Sequence, residues 1–488
     1  MSIAVAAAVA APILAAVVAL VFGWGRATAL LTVGAAGTVL VAGGMVAARV
    51  GDGTHLFAAG LLRADALSAT MLIVIGVVGT LAAAAGIGYI DGELAHGHTD
   101  SAGARLYGVL TPAFLAAMVI AVCANNIGVT WVAVEATTIV TAFLVGHRQT
   151  RTALEATWKY VIVCSVGIVV AFLGTVVLYF AARHAGASAE DALNLDVLLA
   201  HAHSLDPAVT RLAGGLLLIG YGAKAGLFPF HTWLADAHSQ APAPISALMS
   251  GVLLSVAMSV VIRLKPIIDA GAGAAFLRTG LLVVGLVTLL IAAMMLTVTG
   301  DLKRMLAYSS MENMGLIAVA AAAGTSFAIT ALLLHVLAHG VGKTVLFVTG
   351  GTLQSAYGST TIADISGVLA RSRLVGGSLA VGVVVLLGMP PFAMFASELA
   401  IARALSGADL TWALAAAMAL IAIAFAGLAR NAGRMLFGPA PARARAFSPP
   451  LGVGAVLVAG VTACVVLGVT AGPLTGLLTD AGQFGVLR

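Results

Sequence analysis

The chain has 488 residues, of which 61% are hydrophobic and only 9% are Asp, Glu, Lys or Arg. Its mean hydropathy is +1.10, and apolar runs of about 20 residues repeat along the chain, which excludes a soluble globular protein. The net charge of +5 requires no nucleic-acid partner, because membrane proteins carry Lys and Arg in their loops.

The apolar runs predict an all-α integral membrane protein with about fourteen transmembrane helices. The predicted spans lie near residues 3–22, 28–48, 67–90, 106–123, 125–145, 157–182, 210–232, 241–262, 276–299, 304–323, 326–353, 374–404, 408–430 and 452–475. Because the connections are short, we expect a single polytopic membrane domain over 1–488, with spans one to three within 1–100. The apolar N-terminus lacks a basic region, which favours a first span over a cleaved signal peptide.

Two predicted spans are expected to be broken by proline, the seventh at Pro229 and the twelfth at Pro390 with Pro391. Proline removes a backbone donor, and in lipid such a break persists only where protein packs on it or where it lines a hydrated cavity. Two broken helices five spans apart are typical of inverted repeats with an ion path between them. We therefore expect two inverted five-helix repeats, spans four to eight (106–262) and nine to thirteen (276–430). The alternative is that the prolines merely kink helices seven and twelve.

Ionisable side chains inside these spans are functional candidates, because a charge at the centre of a bilayer is costly. The main candidates for proton translocation are Glu135, Lys224, His335, His339, Lys343 and Glu398. Burial disfavours the charged form of a carboxyl and of an ammonium group, whereas an opposite charge nearby favours it. A Glu135–Lys224 pair that separates and reunites could therefore release and take up a proton. The alternative is a static ion bridge that holds two helices together.

His335, His339 and Lys343 are spaced four residues apart, so they lie along one face of a helix. Histidine titrates near neutral pH and can accept and donate a proton through separate nitrogens, so this column can carry a proton chain. The competing interpretation is zinc binding by the HxxxH pair. The adjacent Lys343 would repel a cation and no HExxH glutamate is present, so we favour the proton chain.

Five further residues are secondary candidates for the relay or for proton uptake: Lys159, His231, His238, Ser255 and Glu312. Lys159 lies near a span end and could instead extend to the interface. His231 and His238 lie at the turn between spans seven and eight, where we favour capping of two helix ends over a metal site. Glu312 is expected near a span end. Lys303 and Arg304 are expected to be solvated at the cytoplasmic face.

Glu398 follows the twelfth-span break, where it could end the relay on the outer side with Lys343 as its donor. The alternative is an interfacial carboxylate near a helix end.

No cofactor or metal is expected on this chain. Cys123, Cys164 and Cys464 lie singly without a CxxC pair, and GVGKT at 340–344 lacks the first glycine of a P-loop.

Basic residues near the loops predict the orientation. Twelve of them fall after odd-numbered spans: Arg26, Arg105, Arg148, Arg151, Lys303, Arg304, Arg371, Arg373, Arg430, Arg434, Arg443 and Arg445. Nine fall after even-numbered spans: Arg49, Arg63, Arg183, Arg211, Arg263, Lys265, Arg278, Arg403 and Arg488. The excess predicts that both termini lie on the outer face of the inner (plasma) membrane.

Four motifs carry a family resemblance: WVAVEATTIVTAFLVG, GAKAGLFPFHTWLADAHSQAPAPISALMSGVLL, DLKRMLAYSSMENMG and HVLAHGVGKTVLF. Over roughly residues 65–430 the chain resembles the proton-conducting antiporter-like subunits of respiratory complex I, Mrp antiporters and group 4 hydrogenases. It looks most similar to the F subunit of hydrogenase-4. The resemblance implies fourteen spans, inverted repeats and broken seventh and twelfth helices.

The resemblance also implies a function. Glu135 would be the fifth-span glutamate, Lys224 its broken-helix partner, Lys343 with its histidines the central relay, and Glu398 the terminal group. Partner membrane subunits and a peripheral redox arm, with Fe–S clusters and in some cases Ni–Fe, would drive the movement of H⁺ or, as an alternative, Na⁺. Ser255 departs from the pattern, because several relatives place a lysine or histidine there to bridge the halves.

Two alternatives to a redox-driven subunit stay open at this point. The first is an Mrp-type secondary cation/proton antiporter, and the second is an assembly or anchoring protein whose relay is degenerate.

Overall fold

The computed structural model describes residues 1–439 and 446–483, except for the side chain of Asp52. These residues form twenty α-helices and one antiparallel hairpin, made of β1 (His55–Phe57) and β2 (Leu62–Ala64). The helices are α1 (Ser2–Phe22), α2 (Arg26–Ala47), α3 (Ala66–Ala95), α4 (Ser101–Cys123), α5 (Ile127–Val145), α6 (Arg151–His184), α7 (Leu195–His201), α8 (Pro207–Lys224), α9 (Trp233–Gln240), α10 (Ala243–Leu248), α11 (Leu254–Ala272), α12 (Ala274–Val298), α13 (Leu302–Ala322), α14 (Ser326–Tyr357), α15 (Val368–Arg371), α16 (Arg373–Leu386), α17 (Ala393–Gly407), α18 (Thr411–Phe437), α19 (Leu451–Val469) and α20 (Gly472–Gln483).

Among the described residues, eleven helices are long and apolar enough to cross a membrane. This count takes α10, the π-helical segment Met249–Leu253 and α11 as one continuous helix over Ala243–Ala272. Helix α13 and the interrupted pairs α8–α9 and α16–α17 are not among the eleven. The all-helical membrane fold is therefore confirmed, and the count of fourteen spans stays a prediction.

Both spans that were predicted to be broken at proline are interrupted. Helix α8 ends at Lys224, and residues 225–232 separate it from α9. Residues 387–392 separate α16 from α17 in the same way. The predicted seventh span, 210–232, stops too early, because α9 continues it with a polar sequence that a hydropathy pattern does not extend.

The starts of the long helices follow from polar residues that cap them. The first N–H groups of a helix have no partner within the helix, and in lipid water cannot supply one. Asp65 Oδ1 accepts a hydrogen bond from Ser68 N (2.8 Å) at the start of α3. Asn126, Asp301 and Thr325 cap α5, α13 and α14 through their side chains in the same manner. These side chains fix where each helix begins.

Helix α14 and the continuous α10–α11 helix form the centre of the bundle. Buried residues make up 94% and 100% of their apolar stretches, against 28% for α1 and for α18. Gly340 and Gly251 allow the two central helices to touch, since a Cβ atom on Gly340 would lie 2.9 Å from the Gly251 carbonyl oxygen. One of the two most enclosed helices of the bundle is thus the one that carries His335, His339 and Lys343.

A buried ion-pair cluster joins α3 to α11 at one end of the bundle. Asp65 Oδ2 lies 2.6 Å from Arg63 Nε and 2.6 Å from Arg263 Nη1. Arg263 also donates to Ser68 Oγ (2.9 Å) and to the Val122 carbonyl (3.3 Å). Burial works against the charged form of Asp65, but Arg263 and Arg63 hold its pKa well below the ordinary value. The two arginines, which the sequence placed among loop charges, therefore hold helices together.

Candidate functional site

Lys224 is the last residue of α8 and is completely buried at the edge of the first break. Its ammonium group donates hydrogen bonds to Thr138 Oγ1 (2.7 Å) and to the Tyr160 hydroxyl (2.6 Å). The Tyr160 hydroxyl lies 2.5 Å from Thr141 Oγ1, which itself donates to the Thr137 carbonyl. Lys224 thus begins a row of hydroxyl groups from α5 and α6.

Glu135 does not touch Lys224, contrary to the pair that the sequence predicts. The Thr138 hydroxyl donates to Glu135 Oε2 (3.1 Å) while it accepts from Lys224. Ser165 Oγ donates to the other carboxylate oxygen (3.3 Å). Glu135 is half-buried, so its carboxylate stays closer to the edge of the bundle than Lys224 does. The acid and the amine are therefore connected through one hydroxyl group.

Lys343 lies in the middle of α14 and is completely buried. It donates to the Leu306 carbonyl oxygen (2.6 Å) and to Ser309 Oγ, both on α13. Within the described parts of the chain, no carboxylate oxygen lies within the 4.0 Å ion-pair limit of either buried lysine, Lys224 or Lys343.

The two histidines that precede Lys343 on α14 have different surroundings, although both are completely buried. His335 Nε2 lies 2.8 Å from Asn313 Oδ1, and His335 Nδ1 lies 3.0 Å from Ser397 Oγ. Neither ring nitrogen of His339 has a hydrogen-bond partner among the described residues. The predicted column is thus divided, because His335 is held between α13 and α17 and His339 retains free polar atoms.

Glu312 and Glu398 flank the second half of the site. Glu312 lies at the middle of α13 and is only 9% exposed, so the prediction that it lies near a span end is wrong. Lys343 and Glu398 are both within electrostatic range of Glu312. Glu398 is half-buried, and its carboxylate packs against Gly388 in the second break, where a Cβ atom would collide with it. The absence of a side chain at Gly388 therefore provides the space for this carboxylate.

Lys159 lies at the surface, away from the buried lysines. Its ammonium group is 2.7 Å from Glu155 and 3.1 Å from Asp236, and its side chain is half exposed. Arg304 pairs with the same Asp236. This geometry fits the interfacial alternative for Lys159 better than a place in the relay.

His231 and His238 are both near the first break, but only one faces the centre. His231 is half-buried and stacks on Phe228 at 6.2 Å between ring centres. His238 is completely buried, and neither of its ring nitrogens has a partner among the described residues. Its ring meets Phe347 of α14 edge-on at 5.7 Å, and Lys343 is within electrostatic range. His238 is therefore not a helix cap, which was the favoured prediction.

Ser255 and Lys303 complete the central region. Ser255 is 1% exposed, and its hydroxyl has no partner in the described ranges. Lys303 is 2% exposed and donates to the Ala241 carbonyl oxygen at 2.7 Å. The prediction that Lys303 is solvated is wrong, because the end of α9 covers it.

The uncharged partners of the ionisable groups were missed from the sequence: Thr138, Tyr160, Ser309, Asn313 and Ser397. The spacing of Thr138, three residues after Glu135, places both on one helix face and could have revealed it. Tyr160 and Ser397 bind residues of other helices, which no spacing within the chain indicates.

The described residues contain no group of three or more His, Cys, Asp or Glu side chains that could hold a metal ion. In the HxxxH pair, both His335 nitrogens already lie beside Asn313 and Ser397, so the geometry does not favour zinc there.

Interrupted helices beside buried lysines define a class of protein, the polytopic membrane subunits that move ions along a buried path. The family described as "NADH:quinone oxidoreductase/Mrp antiporter, TM" matches residues 124–424, and the chain belongs to it. It is an antiporter-like membrane subunit of the kind found in complex I, group 4 hydrogenases and Mrp complexes. The predicted resemblance is confirmed.

Individual relatives agree with this assignment. The hydrogenase-4 component F homolog of Methylacidiphilum infernorum is 37% identical over 334 residues, which cover 68% of this chain and 70% of that protein. In three further curated relatives, the part that this chain matches is about half of the relative's own length.

Solved structures share the fold. A chain of the membrane-bound sulfane sulfur reductase, an archaeal respiratory membrane complex, superposes with a TM-score of 0.89 at 24% identity, over 100% of this chain and 98% of that one. A chain of the Mrp complex from Dietzia sp. DQ12-45-1b gives a TM-score of 0.85 at 22% identity, over 99% and 97% of the two chains.

Proposed function

We propose that this chain moves protons across the membrane as one subunit of a redox-driven complex of the group 4 hydrogenase type. The observation that carries the proposal is the hydroxyl bridge between Lys224 and Glu135. A buried lysine held by groups that can exchange protons is expected in a proton path and has no structural need in a static bundle.

The bridge supports a defined transfer step in the first half. The Lys224 ammonium gives a proton to the Thr138 oxygen while the Thr138 hydroxyl proton passes to the Glu135 carboxylate. The products are a neutral amine, an intact hydroxyl and a neutral carboxyl, so charge and atoms balance. Reversal of this step reloads Lys224, and neither side chain has to cross the bundle.

The second half supports a transfer from Lys343 towards Glu398. Glu312 is within electrostatic range of both groups. Glu398 is half-buried in the second break, which suits a terminal group that returns protons to the aqueous phase. His335 supports the same direction, because its ring nitrogens lie beside Asn313 and Ser397. These two residues are the chain neighbours of Glu312 and Glu398.

The two halves require a link where Ser255 replaces the basic residue of several relatives. His335 does not fill that gap, because its nitrogens lie beside residues of α13 and α17. Unpartnered polar atoms of Ser255, His238 and His339 support a water-mediated link, since buried polar groups are normally hydrogen-bonded to protein or water.

The orientation belongs to the same proposal, with the termini on the outer face of the plasma membrane. Three of the nine basic residues assigned to the outer loops are buried, namely Arg63, Arg263 and Lys265. Of the twelve assigned to the inner loops, Lys303 is buried. Arg443, Arg445 and Arg488 lie outside the described residues. Removal of the buried residues from the count strengthens the predicted excess.

The repeats 106–262 and 276–430 also remain part of the proposal. The proposed partners are further membrane subunits and a peripheral redox arm that carries Fe–S clusters and, in a hydrogenase, Ni–Fe. The lipid bilayer surrounds the chain, and the transported ion is H⁺ rather than Na⁺.

The test uses the native complex, purified with its partners and identified by mass spectrometry, then reconstituted in proteoliposomes. Glu135→Gln and Lys224→Met should each abolish proton movement coupled to electron transfer, while Lys159→Met at the surface should leave it unchanged. Flux that follows an imposed Na⁺ gradient without electron transfer would instead assign the chain to a secondary antiporter. Full coupled pumping by Lys224→Met would contradict the proposal and favour an anchoring role.

A further inference from the structure

A cavity of about 580 Å³ lies beside the central helix α14. It is lined by the C-terminal parts of α3 and α14, the start of α10 and residues 447–450 before α19, with Arg148 at its side. A water molecule occupies about 30 Å³ in the liquid, so the cavity is large enough for several. It lies at the end of the bundle that carries the loops predicted to face the cytoplasm.

The outer wall of the cavity carries a neutralised ion pair. Arg148 Nη2 lies 2.6 Å from Glu93 Oε1, and Arg148 Nε lies 2.9 Å from Glu93 Oε2. His96 and His98 line the same wall, with His98 Nδ1 3.5 Å from Glu93. An anionic ligand such as a lipid phosphate would find Arg148 already occupied by Glu93. Water and hydrated protons are the occupants that this lining favours.

The inner wall leads to Lys303. Ala243 and Pro244 of α10 line the cavity, and the Ala241 carbonyl just before them accepts the hydrogen bond from Lys303. Glu93 and Arg148 are both within electrostatic range of Lys303. Lys303 is thus a buried ammonium group next to the cavity wall, and the transfer path described above does not use it.

From Lys303 the polar groups continue to the centre of α14. His238 is within electrostatic range of both Lys303 and Lys343, and its ring nitrogens are unpartnered among the described residues. The Thr349 hydroxyl is also buried and unpartnered within that part of the chain, and it lies next to the cavity residue Val348 on α14. Val348, the innermost cavity residue on this helix, is five residues from Lys343, or about 7.5 Å along the helix axis.

We propose that this cavity is a proton entrance that reaches Lys343 through Lys303 and His238, separately from the first half of the chain. The inference rests on the proposed function, because an entrance is meaningful only if Lys343 carries protons. It assigns to Lys303 the uptake of protons from the cavity and to His238 their transfer to α14. The second half then has its own proton supply at the face predicted to be cytoplasmic, in addition to the water-mediated link near Ser255 that couples the two halves.

Cysteine labelling tests the access. Thr352 lines the cavity, whereas Thr330 lies near the other end of α14, and each donates to the carbonyl four residues earlier. The native complex carrying Thr352→Cys or Thr330→Cys is reconstituted and treated with a charged methanethiosulfonate from the side of the cavity, alongside the complex without either substitution. The native cysteines of this chain are buried. Pumping should be lost on treatment of Thr352→Cys alone. The proposed entrance is overturned if the reagent does not label Thr352→Cys, or if labelled Thr352→Cys pumps at the full rate.

The role of Lys303 is tested by substitution, with the adjacent Arg304 as the control. Lys303→Met should lose most of the coupled proton movement, and Arg304→Met, at the surface, should keep it. If Lys224→Met abolishes pumping while Lys303→Met retains it, the entrance is wrong and the proposed function stands. If Lys224→Met itself pumps normally, the proposed function fails. Should Lys303→Met not assemble, labelling of the assembled Thr352→Cys complex decides the matter.

Discussion

Lys224 and Lys343 share one arrangement, since each is completely buried and, among the described residues, donates its hydrogen bonds only to uncharged oxygens of neighbouring helices. Separating a buried lysine from a directly paired carboxylate would leave two uncompensated charges, at a cost of several kcal/mol. Hydroxyl and carbonyl partners hold the ammonium group in place and leave it able to exchange a proton. Four predictions test this view and the fold around it.

Thr138→Val should interrupt the contact between Lys224 and Glu135 while it preserves the shape of the side chain. We expect coupled proton movement to fall by about 10²-fold or more, the lower end of the effect of a lost proton-transfer group. Thr138→Ser keeps the hydroxyl and should pump normally. The rate of acidification in proteoliposomes measures both, and equal rates for Val and Ser would show that the bridge is not used.

His335→Leu and His339→Leu should separate stability from transport. Loss of His335 removes the hydrogen-bond partner of the buried Asn313 Oδ1, at about 1–3 kcal/mol for an unsatisfied group, whereas Ser397 keeps its bond to a backbone carbonyl. Loss of His339 removes a ring with no bonded partner among the described residues, so it should lower proton movement without a comparable loss of stability. Thermal denaturation of the purified complex distinguishes them. A larger destabilisation by His339→Leu would contradict the geometry.

Asp65→Asn should destabilise the subunit by about 3–5 kcal/mol, because it leaves the buried Arg263 and Arg63 without their carboxylate. The pKa of Asp65 is depressed in the folded protein, so the pair stabilises the fold above the ordinary value of about 3.9. That stabilisation is lost as the pH falls towards the folded-state value. Below about pH 4, the free energy of unfolding should therefore depend less steeply on pH in the variant than in the native subunit. Glu155→Gln, at an exposed pair, is the control and should change stability by no more than about 1 kcal/mol.

Gly340→Ala should push α14 away from the π-helical segment Met249–Leu253. The added Cβ would lie 2.9 Å from the Gly251 carbonyl oxygen, and overpacking of this kind costs about 1–3 kcal/mol. Gly350→Ala on the same helix is the matched control, since its Cβ would meet Leu306 at an ordinary 3.7 Å. Thermal denaturation compares the two variants. Equal stability would mean that the two central helices can separate without loss.

Much of the architecture could be predicted because hydropathy and proline act locally. Long apolar runs require helices in lipid, and Pro229 and Pro390 lie in the two breaks. Proline alone does not locate a break, because Pro112 lies inside the continuous helix α4. The ionisable candidates were found because a charge in an apolar run is conspicuous. The partners of those charges were not, since Thr138 and Ser309 are ordinary helix residues whose role depends on which neighbouring helix they face.

Two errors have the same physical origin. Lys303 and Glu312 lie in a segment whose charges lower its hydropathy, so the sequence placed Lys303 in solvent and Glu312 at a span end. In the fold, α13 packs against α9, α12 and α14, and these neighbours enclose its charges. Burial is a property of the assembled bundle, and a single segment does not reveal it.

The first break has one more effect, which concerns fixed partial charges. Because α8 stops at Lys224, the aligned peptide dipoles of this helix give that end partial negative character. Lys224 is the last residue of that helix, whereas Lys343 lies mid-helix on α14 and receives no such stabilisation. The helix dipole therefore favours the charged form of Lys224 alone, and in the proposed path a proton would rest preferentially on α8.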